Sequence, residues 1–495
     1  MNMVMLRDYV VRSGRHGSLN TTATSDDLVP RTGVRHFFGK LASVRASPGF
    51  RILARSIMKP PPPISALPWL SPRLDTESDP GHRGSGSLGP VPGVKCDLRP
   101  SPIRVAMPNL QLPKYVFSVA PRNVYWETTI ACSLSCQHCR AEAIQQRDPG
   151  ELTTEEGYRL IDDIHELGSL LVLTGGDPLE RPDLIDLVTY ARNQHVPVAV
   201  TPSTTPTLKR DTVARFHELG ITALGVSLDG PTPEIHDAFR GISGTFVHSQ
   251  DALAWAREFG VPVQINTTVT RFTRPHLAEL YDVLCRNSPP VRRWSLFLLI
   301  PTGRGHNLAA LNASEVDALF EWAYSISESA PFHISTVEAP HYRRYWLERK
   351  RAEGISDAEL VQQGPRMGFG IRDGNGVIFV ARNGDVYPAG FLPNPKLGNV
   401  RETPLYDLYR NSPELNRLRD MDSLQGRCGR CQYRWLCGGS RARAWAATGS
   451  LHGEDPACSH QPSSTTEPIW PGFPVEIPKH AAGKPHGHPE GLGSQ

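Results

Sequence analysis

The chain lacks a long hydrophobic run. Its longest, Trp294–Ile300, falls far short of the ~18 apolar residues a helix needs to cross a bilayer, so a transmembrane helix is excluded. It also lacks a surplus of one charge: 53 Lys+Arg stand against 50 Asp+Glu, which excludes a bulk nucleic-acid binder. Nine cysteines in 495 residues are too sparse for a small disulfide scaffold, and no clear signal peptide is present. Seven of the nine sit in two clusters, which reads as metal ligation in a reducing cytoplasm. Proline (45) and glycine (43) are in excess, each about 9 % against typical values of about 5 % and 7 %, so part of the chain is not expected to fold. The length allows about three domains of ~150 residues.

Residues 1–106 carry 15 Lys+Arg, 7 Asp+Glu and 13 Pro, and keep no helical or alternating period. Such a segment buries too little apolar surface to offset its ordering entropy. It fits either an acid-poor transit peptide or an over-extended start with Met107 as the natural initiator. The Pro-rich half makes a poor amphipathic targeting helix and favours the second. Domain expectations are a disordered extension over 1–118, a barrel over 119–305, a helical linker over 306–372, a Cys-rich unit over 373–460 and a disordered tail over 461–495. His480, His486 and His488 in the tail read as solvated rather than metal-binding.

Between about 120 and 300, short β-rich runs alternate with amphipathic stretches of helical length. The strands are expected at Val124–Thr129, Leu170–Leu173, Val196–Val200, Ala223–Leu228, Val263–Thr268 and Trp294–Leu299. Helices are expected at Thr153–Leu167, Pro182–Asn193, Leu208–Leu219, Phe246–Phe259 and Pro275–Arg286. Such alternation implies βαβ units and a parallel sheet. Six repeats are too few for a closed eight-fold barrel. The expected fold class is therefore α/β, a partial (β/α)6 TIM-type barrel with its chemistry on the loops after the strands' carboxyl ends. Asn383-Gly384 predicts a hairpin turn between Gly376–Val380 and Asp385–Tyr387.

Cys132, Cys136 and Cys139 form C-x3-C-x2-C directly after the first strand. Three thiolates on one short loop can grip three irons of a four-iron cluster and leave the fourth open to a ligand. A zinc site would need a fourth ligand, for which only His138 is near and awkwardly placed. A redox C-x-x-C would leave Cys132 unexplained.

With these residues the chain resembles the radical SAM superfamily. Gly175-Gly176-Asp177-Pro178, after the second strand, is similar to that family's GGEP motif with Asp for Glu. The resemblance implies that S-adenosylmethionine (SAM) chelates the open iron. An electron from the cluster then cleaves SAM to methionine and a 5′-deoxyadenosyl radical, which takes hydrogen from substrate. It further implies SAM contacts from Gly175, Gly176, Asp177 and Pro178, from Ser203 after strand three, and from Ser227 and Asp229 at strand four. Asn266 near the end of strand five, Arg240 toward the methionine carboxylate and Ile300 at the adenine complete the set. His138 stands where the family usually has an aromatic.

Cys428, Cys431, Cys437 and Cys458 form a second cluster, C-x2-C-x5-C with a last Cys. It resembles the SPASM (or twitch-like) C-terminal domain of the same superfamily, which in full form has seven Cys and two auxiliary clusters. Here the other positions are Ala389 and Arg441, and no Cys precedes Gly384 at the right distance. All the missing ligands belong to one auxiliary cluster, so one auxiliary [4Fe-4S] cluster is expected, with a four-Cys zinc ribbon as the alternative. Cys437-Gly-Gly-Ser-Arg441-Ala-Arg443 is similar to a subgroup containing alternative haem synthases and haem d1 enzymes. Arg441 and Arg443 could then clamp a substrate carboxylate or simply pack around the cluster. Cys96 and Cys285 read as simple thiols. The expected function is a radical SAM enzyme acting on a tetrapyrrole side chain. The alternatives are a peptide-modifying maturase and a non-catalytic cluster or zinc scaffold. Expected partners are a small molecule or peptide and a reductant such as flavodoxin or ferredoxin, with no nucleic acid and no membrane.

Overall fold

The computed structural model describes residues 114–356, 359–360, 363, 367–462 and 474–476. Most of the expected extension, with Met107 and Cys96, lies outside the described residues, as do His480, His486 and His488. After a short strand β1 (Lys114–Val116), strand and helix alternate. The order is β2 (Asn123–Glu127), α1 (Thr154–Leu167), β3 (Leu170–Thr174), α2 (Leu184–Asn193), β4 (Val198–Val200), α3 (Arg210–Glu218) and β5 (Ala223–Ser227). Then come α4 (Pro233–Arg240), α5 (Thr245–Phe259), β6 (Val263–Val269), α6 (Leu277–Arg286), β7 (Val291–Leu298), α7 (Ala313–Ser327), β8 (His333–Val337) and α8 (Tyr342–Ala352). Strands β2 to β8 pair in sequential order, all parallel.

Local chemistry sets these boundaries. At α1 a capping box starts the helix: Thr153 Oγ1 accepts from the Glu156 amide, and the Glu156 carboxylate accepts from the Thr153 amide at 2.9 Å. Gly168, at φ 62°, ends it in the left-handed conformation that Gly adopts without a Cβ clash. Between them Leu160, Ile161, Ile164 and Leu167 recur at helical spacing and are buried. The same box, Asn312 with Glu315, opens α7.

Two elements depart from expectation. Pro233–Arg240 folds as α4, a helix too short to show a period, bounded by Pro233 at its start and Gly241 at φ 76°. Residues 306–372 supply helices α7 and α8, as a helical linker would, but also a seventh parallel strand, β8. That strand reads His-Ile-Ser-Thr-Val, with only Ile334 buried, so it has none of the apolar density of the other six.

The Cys-rich end continues the same sheet. Strand β9 (Arg372–Asp373) pairs with β10 (Gly376–Val380), and β10 lies parallel beside β2. The expected hairpin is present: β11 (Asp385–Tyr387) runs antiparallel to β10, and β12 (Gly398–Asn399) follows at the edge. Next come α9 (Leu405–Asn411), α10 (Pro413–Arg419), α11 (Gly426–Arg430) and α12 (Arg441–Thr448). Finally β13 (Pro474–Glu476) pairs with β1, so neither the expected extension nor the expected tail is free of regular structure throughout.

Strand parity divides the barrel into a packed shell and an open lumen. In β6, Val263, Ile265, Thr267 and Val269 are buried, while Gln264, Asn266 and Thr268 stay accessible. In β7, Trp294 is buried against Tyr281, Trp322 and Phe332, while Arg293 and Phe297 on the other face stay accessible. The shell side carries the stability, at about 1.5–3 kcal/mol for each large apolar side chain buried.

Helix α12 is tied to the end of β8 by buried charge. Asp455 accepts from the Ser440 amide at 2.9 Å, from the Ala457 amide at 3.0 Å and from Arg443 Nη1 at 3.1 Å. Arg443 Nη2 donates to the Glu338 carbonyl just beyond β8 at 2.7 Å. Burial alone would raise the Asp455 carboxyl, but Arg443 and the amides outweigh it and hold it at about 2, below its ordinary 3.8. Its contribution to stability is thus complete above pH ~4 and fades as pH falls toward 2. Asp455→Asn, which strands the Arg443 charge, is expected to cost about 3–5 kcal/mol at pH 7. In urea unfolding, the gap between variant and wild type should narrow below pH ~4.

Candidate active site

The Cys132–Cys139 loop leaves the carboxyl end of β2 and folds back on itself. Cys132 N–H donates to the Ile144 carbonyl at 2.7 Å, and Ile144 N–H to the Ile130 carbonyl at 3.2 Å. Buried Glu151 organises the entrance, accepting from Thr129 Oγ1 at 2.6 Å, the Ile130 amide at 3.1 Å and Arg147 Nε at 2.7 Å. Within the loop Cys132, Leu134 and Cys136 are buried, while Ser133, Ser135 and Gln137 are exposed. The sulfurs receive donors: the Leu134 amide at 3.4 Å on Cys132, the Ala143 amide at 3.4 Å on Cys139, and Arg240 Nη1 at 3.8 Å on Cys136. Burial nevertheless pushes the Cys132 thiol up to about 11 and raises Cys136. A donor set that is built to receive charge, yet unfavourable to bare thiolates, fits a cationic metal centre among them.

The Gly-Gly-Asp-Pro turn after β3 lies against this loop. Gly176 N–H donates to the Thr129 carbonyl at 2.8 Å and Asp177 N–H to the Ala131 carbonyl at 2.7 Å. Gly175 sits at φ 154°, and a Cβ on Gly176 would stand 2.3 Å from the Ala131 oxygen. Pro178 opens a short 3₁₀ turn and is buried. Asp177 does not face the mouth of the barrel: it is fully buried and accepts from the Leu179 amide at 3.1 Å and the Ser203 amide at 3.2 Å. Burial raises its carboxyl to about 6, even against those two amides.

The other expected ligand contacts divide. Ser203 reaches the site, with its Oγ 3.4 Å from Cys132 Sγ and donating to the Gly176 carbonyl at 3.2 Å. Ser227 and Asn266 are accessible on the lumen face, and Asn266 accepts from Gln264 at 2.9 Å. Asp229 and Arg240, in contrast, pair with each other at 2.5 Å, and Asp229 also accepts from the Thr268 amide at 2.7 Å. Asp229 is buried and Arg240 only slightly exposed, so each offsets the other's charge. Ile300 is buried and packs with Ala389, Leu392 and Ala442. The same loop braces the cysteines instead: Arg304 Nε donates to the Cys136 carbonyl at 2.8 Å and Arg304 N–H to the Cys139 carbonyl at 3.0 Å. His138 is stacked on Phe239, ring centres 4.4 Å apart.

At the carboxyl end of β8, Glu338 holds a left-handed φ of 56°, strained for a residue with a Cβ. Its Oε2 accepts from Ser440 Oγ at 2.6 Å, and burial beside Asp373 raises its carboxyl to about 8. It can therefore hold a proton near neutral pH.

The second cysteine set converges. Cys428, Cys431, Cys437 and Cys458 line one concavity beside His341, Arg344 and Gly439. The Gly439 amide donates to Cys437 Sγ at 3.3 Å, the Tyr433 amide to Cys431 Sγ at 3.4 Å, and Arg441 Nη2 to Cys428 Sγ at 3.8 Å. None of the eight described cysteines is in a disulfide, Cys285 in α6 among them. Among the described residues no three His, Cys, Asp or Glu side chains meet at one metal-ion position. Four sulfurs lining one concavity suit a cubane, whose irons occupy separate corners. Ala389, where a further Cys would serve a second auxiliary cluster, is buried among apolar side chains. Arg441 and Arg443 do not clamp a substrate. Arg441 is fully buried and donates to the Leu451 and Gly453 carbonyls at 3.0 and 2.7 Å, and Arg443 is spent on Asp455 and Glu338.

Residues 126–284 match the family described as the radical SAM superfamily, and 372–432 match the SPASM iron-sulfur cluster-binding domain. The chain is 37 % identical over 348 residues to the AdoMet-dependent heme synthase of Oleidesulfovibrio alaskensis, covering 70 % of this chain and 89 % of that one. The chain belongs to the radical SAM superfamily. It is also 31 % identical to the pre-heme d1 synthase of Dinoroseobacter shibae, over 68 % of this chain and 85 % of that protein. Its fold is shared with SuiB of Streptococcus suis bound to S-adenosylmethionine, with a TM-score of 0.54 at 16 % identity, covering 69 % and 78 % of the two chains. The protein is thus an enzyme that cleaves SAM reductively at a [4Fe-4S] cluster, and its SPASM segment carries an auxiliary iron-sulfur cluster.

Glu151 and Glu338 carry no motif and are not legible as site residues in the sequence, because their roles come from long-range contacts, while Arg304, in the segment expected at the adenine, braces the cysteine loop. The Gly176 cradle generates a test. Gly176→Ala would drive its Cβ into the Ala131 and Ile130 carbonyls, within 2.3 and 2.6 Å. It should displace the cysteine loop and lower the iron content of anaerobically reconstituted protein by about half, the auxiliary iron remaining.

Proposed function

We propose that this radical SAM enzyme acts on a tetrapyrrole bearing carboxylate side chains, abstracting hydrogen from one of those side chains. The observation that carries the reading is the similarity to heme synthases along nearly their whole length. In this reading Cys132, Cys136 and Cys139 hold the SAM-binding cluster, and Cys428, Cys431, Cys437 and Cys458 hold the auxiliary one. When bound, the first cluster and SAM together supply the hydrogen-abstracting 5′-deoxyadenosyl radical. The backbone of Gly175, Gly176 and Pro178 cradles SAM, with Ser203, Ser227 and Asn266 available to its polar groups. Asp177, Asp229, Arg240 and Ile300 shape the surrounding loops.

The lumen supports the same reading. Arg293 faces it from β7 and makes no ion pair among the described residues. Burial lowers its pKa, as does the nearby Arg122, so a carboxylate entering there would find a desolvated cation. Arg293 orients the substrate carboxylate from below, the apolar Val172 and Phe379 flank the macrocycle, and Glu338 holds a proton at the rim. A protein reductant such as a flavodoxin or ferredoxin supplies the electron. Seven cysteines kept as iron ligands suit a reducing compartment, and we assign the protein to the cytoplasm.

Two measurements test the reading. Reconstituted wild type should hold about eight irons, and the variant with Cys132, Cys136 and Cys139 all changed to Ala about four. Zinc in place of the residual iron would overturn the auxiliary assignment. An iron porphyrin with propionates should raise SAM consumption and be changed by it. Arg293→Ala should raise the KM for that porphyrin about tenfold or more, the worth of a charged hydrogen bond, with substrate-free SAM cleavage unchanged. Turnover of peptides alone would overturn the tetrapyrrole assignment.

A further inference from the structure

Strand β8 ends in a residue that breaks its alternation. His333, Ser335 and Val337 share one face of the strand, in register with Arg293, Ser295 and Phe297 on the lumen face of β7. Strict alternation would put Glu338 on the other face, with Ile334 and Thr336. Its left-handed φ of 56° turns the chain out of the strand instead. The carboxyl comes close enough to act on the charge of Tyr125, which lies on the lumen face of β2, opposite buried Val124 and Trp126. Glu338 stays partly accessible there. Strain of this kind persists only where neighbours impose it, and the amino end of α12 does so here. Arg443 Nη2 holds the Glu338 carbonyl at 2.7 Å, and Ser440 Oγ holds its carboxyl at 2.6 Å.

These hydrogen bonds decide which oxygen of Glu338 carries a proton. Ser440 Oγ caps α12 by accepting from the Arg443 amide at 3.1 Å, and it donates its one hydrogen to Glu338 Oε2. Oε2 is therefore an acceptor, and the proton of the acid belongs to Oε1. Among the described residues no hydrogen bond is made to Oε1. The acid thus holds a donor that the protein itself does not use.

The surroundings keep the group neutral. Facing it are Asp373 of β9, Arg443 of α12, Asp455 beyond α12 and Tyr125 of β2, with His341 of α8 against Asp455. Burial lowers His341 to about 4, so it brings no charge at neutral pH. Arg443 is the cation among these groups, and its guanidinium is already taken. Nη1 donates to both oxygens of Asp455 at 3.2 and 3.1 Å, and Nη2 to the Glu338 backbone. Asp373 accepts from the Ala442 amide at 2.9 Å at the amino end of α12, where the helix favours negative charge. Of the two neighbouring carboxyls, Asp373 is thus better placed to stay ionised and Glu338 to take the proton. Burial first, and Asp373 second, push the Glu338 carboxyl up to about 8.

We propose that Glu338 binds substrate as a neutral carboxylic acid, its Oε1–H donating to a carboxylate of the substrate at the carboxyl end of β8. The proposal rests on the carboxylate-bearing substrate inferred above. A hydrogen bond from an acid to a carboxylate is short and charge-assisted, and it needs no cation at this end of the lumen. Once ionised, Glu338 would repel the same carboxylate. Arg293 is in register with His333, five residues and about 16 Å below Glu338 along the strands. The two groups therefore hold different carboxylates of one molecule, and a substrate with a single carboxylate satisfies only one of them.

The experiment uses the reconstituted holoenzyme with SAM, and an iron porphyrin with propionates as the probe, its binding read from the porphyrin absorption. Wild-type affinity should hold to pH ~7.5 and fall about tenfold per pH unit above ~8, as the donor ionises. Glu338→Gln keeps an N–H donor and cannot ionise, so it should bind as wild type does at pH 7 and show no such fall. Glu338→Leu should weaken binding about tenfold or more at pH 7, the worth of a hydrogen bond to a charged group. Wild-type iron content in both variants shows that they fold. Infrared difference spectra between pH 7 and pH ~9.5 should show a protonated-carboxyl band in wild type that Glu338→Gln lacks. If Glu338→Gln follows the wild-type pH curve, if Glu338→Leu binds as tightly as wild type, or if that band is absent, the proposal fails while the tetrapyrrole reading stands. If the porphyrin binds wild type at no pH, the tetrapyrrole reading falls and takes the proposal with it.

Discussion

The mouth of this barrel depends on two stretches of backbone touching with no side chain between them. Beyond the sheet, the segments after β2 and β3 go on pairing, through Gly176 to Thr129 and Asp177 to Ala131. That contact exists only because residue 176 has no Cβ. It places the cysteines over the ends of the central strands, and the rest of the loop is secured outward from there. Glu151 grips its start and Arg304 its end, and Arg140 ties it to Glu127 at 2.6 Å. Each of these is a charged group with little exposure, costly to bury unless its hydrogen bonds are made, and here they are made to the loop's own backbone or to an opposite charge.

The same logic runs through the C-terminal half. Buried arginines there serve carbonyls and carboxylates rather than ligands: Arg441 collects carbonyls of the 451–453 turn, Arg419 those of Gly374 and Tyr409, and Arg443 bridges Asp455 to Glu338. The auxiliary-cluster segment is therefore locked to the last strand of the barrel and shares one sheet with it.

Much of this was legible beforehand. The alternation of apolar runs and amphipathic stretches carried six strands and their helices because each has a buried face with regular spacing. The two cysteine sets and the Gly-Gly turn were legible because their spacing is dictated by a metal cluster and by close backbone approach. β8 was missed because a strand with one buried side chain has no apolar signature. Asp177, Asp229 and Arg240 looked like ligand groups because chemical type is visible in a sequence, whereas the partner that consumes it is not. Asp229 and Arg240 are eleven residues apart, and only the fold of α4 reveals that they neutralise each other.

The division of each strand into a shell face and a lumen face has a consequence for how such a scaffold diversifies. The side chains that hold the barrel together, such as Ile265 and Trp294, are not the ones that face the lumen, such as Asn266 and Arg293. Selection can then rewrite every second residue of a strand without disturbing its neighbours' packing. Evolutionary drift in what the enzyme accepts is thereby uncoupled from drift in whether it folds, and one architecture can give rise to catalysts for quite unlike molecules.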